Sequence, residues 1–247
     1  MANECVYIHE FIDIIGHHRA DYMHHMTANW CPEARKERTQ LCFGVWGTVG
    51  STGRWPEVVN MWELPDWDGL VSDFSHELAA PSLQDPTLAA WWAKAAEFRR
   101  GGIDRIVVPE ADSPTITDHC AAGTRGAVYA HELVTLPVEG ARAFLDAYGE
   151  SGRAANAEAG AAPIGAFRVA LVNGHEAIVI SAFESWEAWG AYEQAWEGGS
   201  ASLAAWRATL RQLDARLQRT LMVDAPLSPM RIGRQPEESD RTAAPPT

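Results

Sequence analysis

The stretch "VYIHE", Val6 to Glu10, returns 122 positions later as "VYAHE", Val128 to Glu132. Internal repeats come first in reading a sequence, because a missed repeat misassigns the whole fold. With that offset Tyr22 falls on Phe144, Met23 on Leu145 and Met26 on Tyr148. "WE" at Trp62-Glu63 meets "FE" at Phe183-Glu184, and "LAAW" at Leu88 to Trp91 recurs at Leu203 to Trp206. The common order predicts a duplicated unit of about 110 residues, an ordinary domain size.

Each unit reads as strand, helix, strand, strand, helix, strand. "CVYIHEFID" alternates and is rich in β-branched and aromatic residues, as a half-buried strand requires. Over "HHRADYMHHMTANW", Tyr22, Met26 and Trp30 recur every four residues, which predicts an amphipathic helix. "LCFGVWGTV" and "PEVVNMWEL" follow as strands. Their counterparts "GAFRVALV" and "HEAIVISAF" flank Asn173-Gly174, a two-residue hairpin signal. Asp66 and Ser185 are predicted N-caps, and Asp85-Pro86 opens a further helix. The predicted organisation is repeat 1 over 1–118, a linker over 119–125, repeat 2 over 126–232 and a disordered tail over 233–247. The tail is polar and Pro-rich, a composition that cannot bury a core.

Strand-helix-strand twice over is the ferredoxin-like arrangement. Such a sheet carries helices on one face, and a second copy can cover the other. The expected fold is therefore α+β: two tandem ferredoxin-like repeats forming an intrachain barrel. On these residues the chain resembles the dimeric α+β-barrel superfamily in a fused form. The aromatic-Glu third strand and the "Y-x-H/L-E/R" first strand are most similar to NIPSNAP-type proteins, over residues 4–110 and 126–225. The resemblance implies small-molecule chemistry of several kinds, among them cofactor-free monooxygenases, isomerases, cyclases and haem-binding enzymes. A fold shared by so many chemistries does not choose among them.

Composition narrows the partners. The chain has 247 residues and a net charge of −13, with no basic run, which argues against nucleic acid and anionic membranes. Four cysteines without C-x-x-C spacing read as free thiols of a cytoplasmic protein, and the N-terminal sequence lacks the pattern of a secretion signal. Eleven tryptophans suggest an aromatic-walled cavity. The expected partner is a small apolar or aromatic molecule. Further self-assembly into a homo-oligomer stays open.

Residues unique to one half are the better functional candidates. The first helix carries His17, His18, His24 and His25, whose counterparts are Glu139, Gly140, Asp146 and Ala147. On a helical projection His18, His25 and Asn29 flank the buried face, either as boundary residues or as a polar corner of a cavity. A histidine there moves protons near neutral pH, and Asn29 can orient an oxyanion. His17, Asp21 and His24 share the opposite side with i, i+4, i+7 spacing. That spacing can chelate a transition metal, although a solvated face is the plainer reading. Strand alternation sends Glu10 the same way as Val6, Ile8 and Ile12, a face that meets either the helices or the partner sheet; under the helices, the favoured placement, it is a structural ion pair or a general base of raised pKa. His9, Tyr22, Trp46, Asn60 and Trp62 are expected to line the substrate pocket. The loop "GTVGSTGRWPE" from Gly47 is an expected lid.

The leading expectation is an enzyme that transfers protons through His18, His25 and Glu10, as an isomerase, a dehydratase or cyclase, or a cofactor-independent monooxygenase. The alternative is a non-catalytic protein for haem or a hydrophobic ligand. No cofactor is predicted from the residues; haem or a transition metal is what the alternative would add.

Overall fold

The computed structural model describes residues 2–242. Chain order runs β1 (Val6–Ile14), α1 (Arg19–His24), α2 (Cys31–Arg38), β2 (Leu41–Thr48), β3 (Glu57–Leu64), α3 (Trp67–Leu78), α4 (Pro86–Ala95) and β4 (Arg99–Pro109). It continues with α5 (Ile116–Ala122), β5 (Val128–Thr135), α6 (Gly140–Ala147), α7 (Arg153–Glu158), β6 (Ala162–Val169), β7 (Glu176–Phe183), α8 (Trp186–Gln194), α9 (Ala201–Gln212), β8 (Arg216–Asp224) and α10 (Pro229–Ile232). The class is α+β, with antiparallel pairing of β1 with β3, β2 with β3, β4 with β6, and β7 with both β5 and β6. Two compact units are distinguished. One holds Glu4–Arg105, Thr115–Thr124 and the chain from Asp224 onward; the other holds Ile106–Pro114 and Arg125–Val223, with the first residues up to Asn3. Helix α5 occupies the stretch where the repeat boundary and linker were expected.

In the first unit the strand order is β1-β3-β2, with Glu10 opposite Asn60 and Ile8 opposite Trp62. Alternation puts Ile12 and Ile14 of β1 with Val58 and Trp62 of β3 on one face, packed against Tyr22, Met23, Met26 and Trp30 of the helical layer. Burying each of these large apolar side chains is worth about 1.5–3 kcal/mol. Tyr7 and His9 point to the other face and are fully buried. Glycine is required at two close approaches. A Cβ on Gly44, beside a register shift in β2, would meet the Trp46 ring at 2.1 Å. One on Gly102 of β4 would meet the Phe11 carbonyl oxygen at 2.2 Å.

The second unit repeats the same strand order as β5-β7-β6, with β8 antiparallel on the free side of β5 and the end of β4 on β6. Its register shift falls beside Gly165, whose added Cβ would meet the Phe167 ring. Phe144, Tyr148 and Trp206 form its aromatic core.

Local capping follows the sequence. Asp66 accepts from the Gly69 amide at 2.7 Å, Asp85 from Leu88 at 2.9 Å and Ser185 from Ala188 at 3.1 Å. Three expectations are corrected. The predicted first helix is not one helix: α1 gives way to a π-helical turn over His25–Trp30, and α2 then runs on to Arg38. Asn173-Gly174 is not a two-residue hairpin, since β6 and β7 are joined by residues 170–175. The Asn173 and Gly174 carbonyls instead accept from the Glu139 and Ala141 amides, which satisfies the start of α6. The tail is ordered to Thr242. Gln235 bonds both backbone groups of Cys42, at 2.9 and 2.8 Å, and Arg234 pairs with Asp240. These contacts supply what an apolar core does not. The rest of the expected disordered tail lies outside the described residues.

Candidate functional site

Every residue of the site belongs to the first unit, and strand alternation assembles it. Glu10, Asn60 and Trp62 sit on adjacent strands with side chains toward α1. The Glu10 Oε2 atom accepts from Asn60 Nδ2 at 3.0 Å and from Trp62 Nε1 at 2.9 Å. Asn60 Nδ2 also donates to the Tyr22 hydroxyl at 3.0 Å. Oε1 of Glu10 has no hydrogen-bond partner among the described residues, and the side chain is only half-buried. Burial pushes the Glu10 carboxyl above the ordinary range, and the Asp104 carboxylate adds to the rise. The Trp62 and Asn60 donors and the Arg99 cation oppose it without cancelling it. Arg99 stacks on Trp92 at 3.6 Å, and its charge is felt at both Glu10 and the Tyr22 hydroxyl.

The corresponding glutamate of the other unit has a different setting. Glu132 Oε1 accepts from Arg219 Nη2 at 2.6 Å and from Arg219 Nε at 2.9 Å. Arg219 also binds Glu193 and the Tyr192 hydroxyl. By sequence the structural ion pair was open to either glutamate; Glu132 makes it and Glu10 does not. A carboxylate held by two neutral donors, with one oxygen unengaged and a raised pKa, can accept a proton from a bound molecule.

His25 and Asn29 come together as expected, but away from Glu10. Asn29 Nδ2 donates to His25 Nδ1 at 2.9 Å. The ring proton therefore sits on Nε2 and is donated to the Trp91 carbonyl at 3.1 Å. The imidazole stacks on Trp91 with centroids 4.9 Å apart, and burial lowers its pKa. Both nitrogens are engaged, so His25 holds Asn29 and α4 in place. His18 is the N-cap residue of α1 and packs, like His25, against Phe98, but it makes no hydrogen bond to the pair. It is exposed and bonds Asp21 at 3.0 Å. That pairing also takes Asp21 away from the expected metal trio with His17 and His24. Among the described residues the one converging set of three metal-type ligands is Glu37, His76 and Asp85.

His9 and Trp46 lie on the strand face opposite Glu10. His9 packs edge-on to Phe11 at 5.1 Å, and Trp46 packs against Phe43. Glu63 is structural, with Oε2 accepting from the Tyr7 hydroxyl and the Ile116 amide. Glu184, its counterpart by sequence, is exposed. The expected lid loop is tied down, because the Pro56 carbonyl accepts from the Ile14 amide and Arg54 pairs with Asp13 at 2.8 Å. Arg99, Asp104 and Trp92 complete the Glu10 site and were missed by sequence reasoning. They flank the start of β4, where no motif marks them; the one available signal was an alternating strand that carries charges at its first turns.

Two cavities of this unit bear on cofactors. One of about 470 Å³ is lined by Asn29, Trp30, Glu33, Glu37, Trp91 and Arg241. It has no histidine to ligate iron, and its two carboxylates oppose haem propionates, so these residues do not fit haem. One of about 200 Å³ is lined by Ala20, Met23, His24, Thr27, Pro226 and Leu227, below the usual range of ligand pockets.

Comparison with solved structures bears on the fold. The chain is similar to a provisionally named monooxygenase from Fusobacterium nucleatum, with TM-score 0.58, 7% identity, and coverage of 91% of this chain and 94% of that one. It is similar to another from Lactobacillus acidophilus, with TM-score 0.57, 8% identity, and coverage of 90% and 97%. An anthrone oxidase-like protein matches with TM-score 0.59, 13% identity, and coverage of 90% and 94%. The likeness shows the fold alone, an α+β chain built on antiparallel sheet. No protein-family model matches the sequence, and no curated protein matches it significantly. No helix among the described residues is long and apolar enough to cross a membrane.

Proposed function

We propose that the protein is an enzyme in which Glu10 removes a proton from carbon on a small apolar or aromatic metabolite. The single observation carrying this reading is the Glu10 carboxylate: Oε2 held by Trp62 and Asn60, Oε1 unengaged, and the acid form favoured by burial. Tyr22 and Arg99 stand beside it, where a hydroxyl and a cation stabilise the enolate or phenolate left behind. His25 is a positioning residue in this scheme, and His18 takes no part in proton transfer. Isomerisation, dehydration and cyclisation all begin with this step. So does oxygenation without a cofactor, in which the substrate carbanion passes its electrons to dioxygen. The names of the similar monooxygenases and of the anthrone oxidase-like protein favour that last outcome.

The site arrangement is read as the product of a fused pair of ferredoxin-like repeats, NIPSNAP-like in pattern, with repeat 1 over 1–118 active and repeat 2 over 126–232 as scaffold. Supporting it are the shared strand order, the matching register shifts at Gly44 and Gly165, and the π-helical turns at His25–Trp30 and Tyr148–Gly152. A cytoplasmic enzyme, free to self-associate, is the setting this reading assumes; no disulfide joins its four cysteines. The test is anthrone under air, followed by oxygen uptake and by anthraquinone absorbance. Turnover by the intact protein and at least a hundredfold loss in Glu10→Gln is expected, about the contribution of a general base. Equal rates in both would overturn the assignment of Glu10. Proton exchange at the anthrone methylene without oxygen uptake would leave Glu10 in place and remove the oxygenase outcome.

A further inference from the structure

Helix α3 carries a second apolar face, which the described residues leave open to solvent. Its buried residues are Leu70 and Asp73, and Asp73 accepts from Arg38 and Gln40. Trp67, Val71, Phe74 and Leu78 lie on another face, each between 38% and 60% exposed. Steps of four, three and four residues keep all four in one narrow stripe along the helix. Single exposed hydrophobes are ordinary, but four aligned ones make a patch on the order of 400 Å², the size that marks an interaction surface. The fold does not require it. Helix α8 follows β7 as α3 follows β3, and Ser185 and Asp66 cap the two helices in the same way. Aligned on those caps, Trp186 matches Trp67, but Gly190, Glu193 and Glu197 stand in place of Val71, Phe74 and Leu78.

The spacing points to the partner. Four-three-four reads the same from either end, so two copies of α3 fit antiparallel about a two-fold axis. Trp67 of one copy then meets Leu78 of the other, and Val71 meets Phe74, a larger side chain against a smaller one in every layer. Parallel pairing would set Trp67 on Trp67 and Val71 on Val71, crowding one layer and leaving a gap in the next. Ser72 and Ser75, small and exposed, flank the stripe and let the helices approach. The area suffices. With interfaces about 60% apolar, a stripe of about 400 Å² implies about 650 Å² per copy and about 1,300 Å² in all, at the lower end of stable interfaces.

We infer that α3 is the contact surface of a symmetric homodimer, in which each copy supplies the same Trp67-Val71-Phe74-Leu78 stripe in antiparallel register. At this area the association is reversible and depends on concentration. Each copy carries a net charge of −13, so the two repel at long range. Salt screens that repulsion and leaves the apolar contact intact, so it tightens the pair.

Sedimentation velocity of the full chain from about 1 to about 100 µM tests this. Monomer should give way to dimer across that range, and at lower concentration when salt is added. Val71→Glu and Phe74→Lys should each stay monomeric, because each sets an unpaired charge at the centre of the contact. Mixed in equal amounts, the two should associate again, since antiparallel packing sets the Val71 position of one copy against the Phe74 position of the other. Trp186→Glu, at the matching place on α8, should dimerise like the intact protein. Circular dichroism checks that each variant is folded. An intact chain that stays monomeric to about 100 µM, or dimerisation undiminished in folded Val71→Glu, would overturn the inference. Mixed variants that stay monomeric would overturn the antiparallel register. A monomer that binds phosphatidylcholine vesicles, and loses them on Val71→Glu, would assign the stripe to a lipid surface and overturn the dimer.

Discussion

Replacing Glu57 by glutamine should make the protein more stable at pH 8 and leave it unchanged near pH 4. Glu57 opens β3 opposite Asp13 and is 6% exposed. Burial pushes its carboxyl from 4.5 up to about 7, the Asp13 carboxylate adds to this, and Arg54 offsets only part. Between those two values the folded state holds a proton that the unfolded chain has released. Stability from this group is therefore full below pH 4.5 and is lost as pH rises through 7. The loss above pH 7 is about 3 kcal/mol as an upper figure, at about 1.4 kcal/mol for each pH unit between the two values. The Arg54 cation is already counted in that value, and solvent screening of the partly buried carboxyl moderates it toward about 2 kcal/mol. The glutamine side chain keeps the shape and carries no charge. Urea denaturation of both proteins at pH 4, 6 and 8 should show a gap opening from near zero to about 2–3 kcal/mol in favour of Glu57→Gln. A gap independent of pH, or one closing as pH rises, would show that burial does not hold the Glu57 proton.

Arg38→Met removes a buried cation facing Asp73, Glu77 and Asp85, and should cost about 3–5 kcal/mol in denaturant midpoint experiments, because buried carboxylates lose their counter-charge. Gly44→Ala forces the Trp46 ring to move, and should lower stability by about 1–3 kcal/mol by thermal melting while Trp46 near-ultraviolet dichroism changes. His25→Ala loses the Trp91 stack and the Asn29 bond; the melting temperature should fall, and turnover per folded molecule should fall far less than in Glu10→Gln.

The strand pattern was readable because period-two alternation is a property of the backbone. It put Asn60 with Trp62 on one face of β3 and Glu10 with Ile8 and Ile12 on one face of β1; that the two faces coincide follows from the β1–β3 register, which joins the three by hydrogen bonds. Caps at Asp66, Asp85 and Ser185 were readable for a similar reason, since their bonds span three residues. What escaped was set by longer-range contacts. A projection at a constant angle places His18 with His25, and both rings do pack on Phe98, but their hydrogen-bond partners differ: His18 turns to Asp21 and His25 to Asn29 and Trp91. Whether Glu10 or Glu132 receives an arginine depends on β8, which brings Arg219 to Glu132 from 87 residues away. Nothing in "VYIHE" and "VYAHE" distinguishes the two. Residue type groups Trp46 and His9 with Asn60 as pocket residues, but strand parity sends them to the opposite face. The ordered tail escaped because its order comes from Gln235 meeting Cys42, not from composition.

Proton abstraction by Glu10 requires that its carboxyl, which lacks an ion-pair partner of the Arg219 kind, keep its proton beyond the pH at which an ordinary glutamate releases it. Carbon-13 NMR of side-chain carboxyls across a pH titration reads this directly, with Glu10→Gln assigning the resonance. One signal should titrate above the ordinary glutamate range and vanish in that variant. A Glu10 signal titrating at or below that range would leave the proposed site without its base.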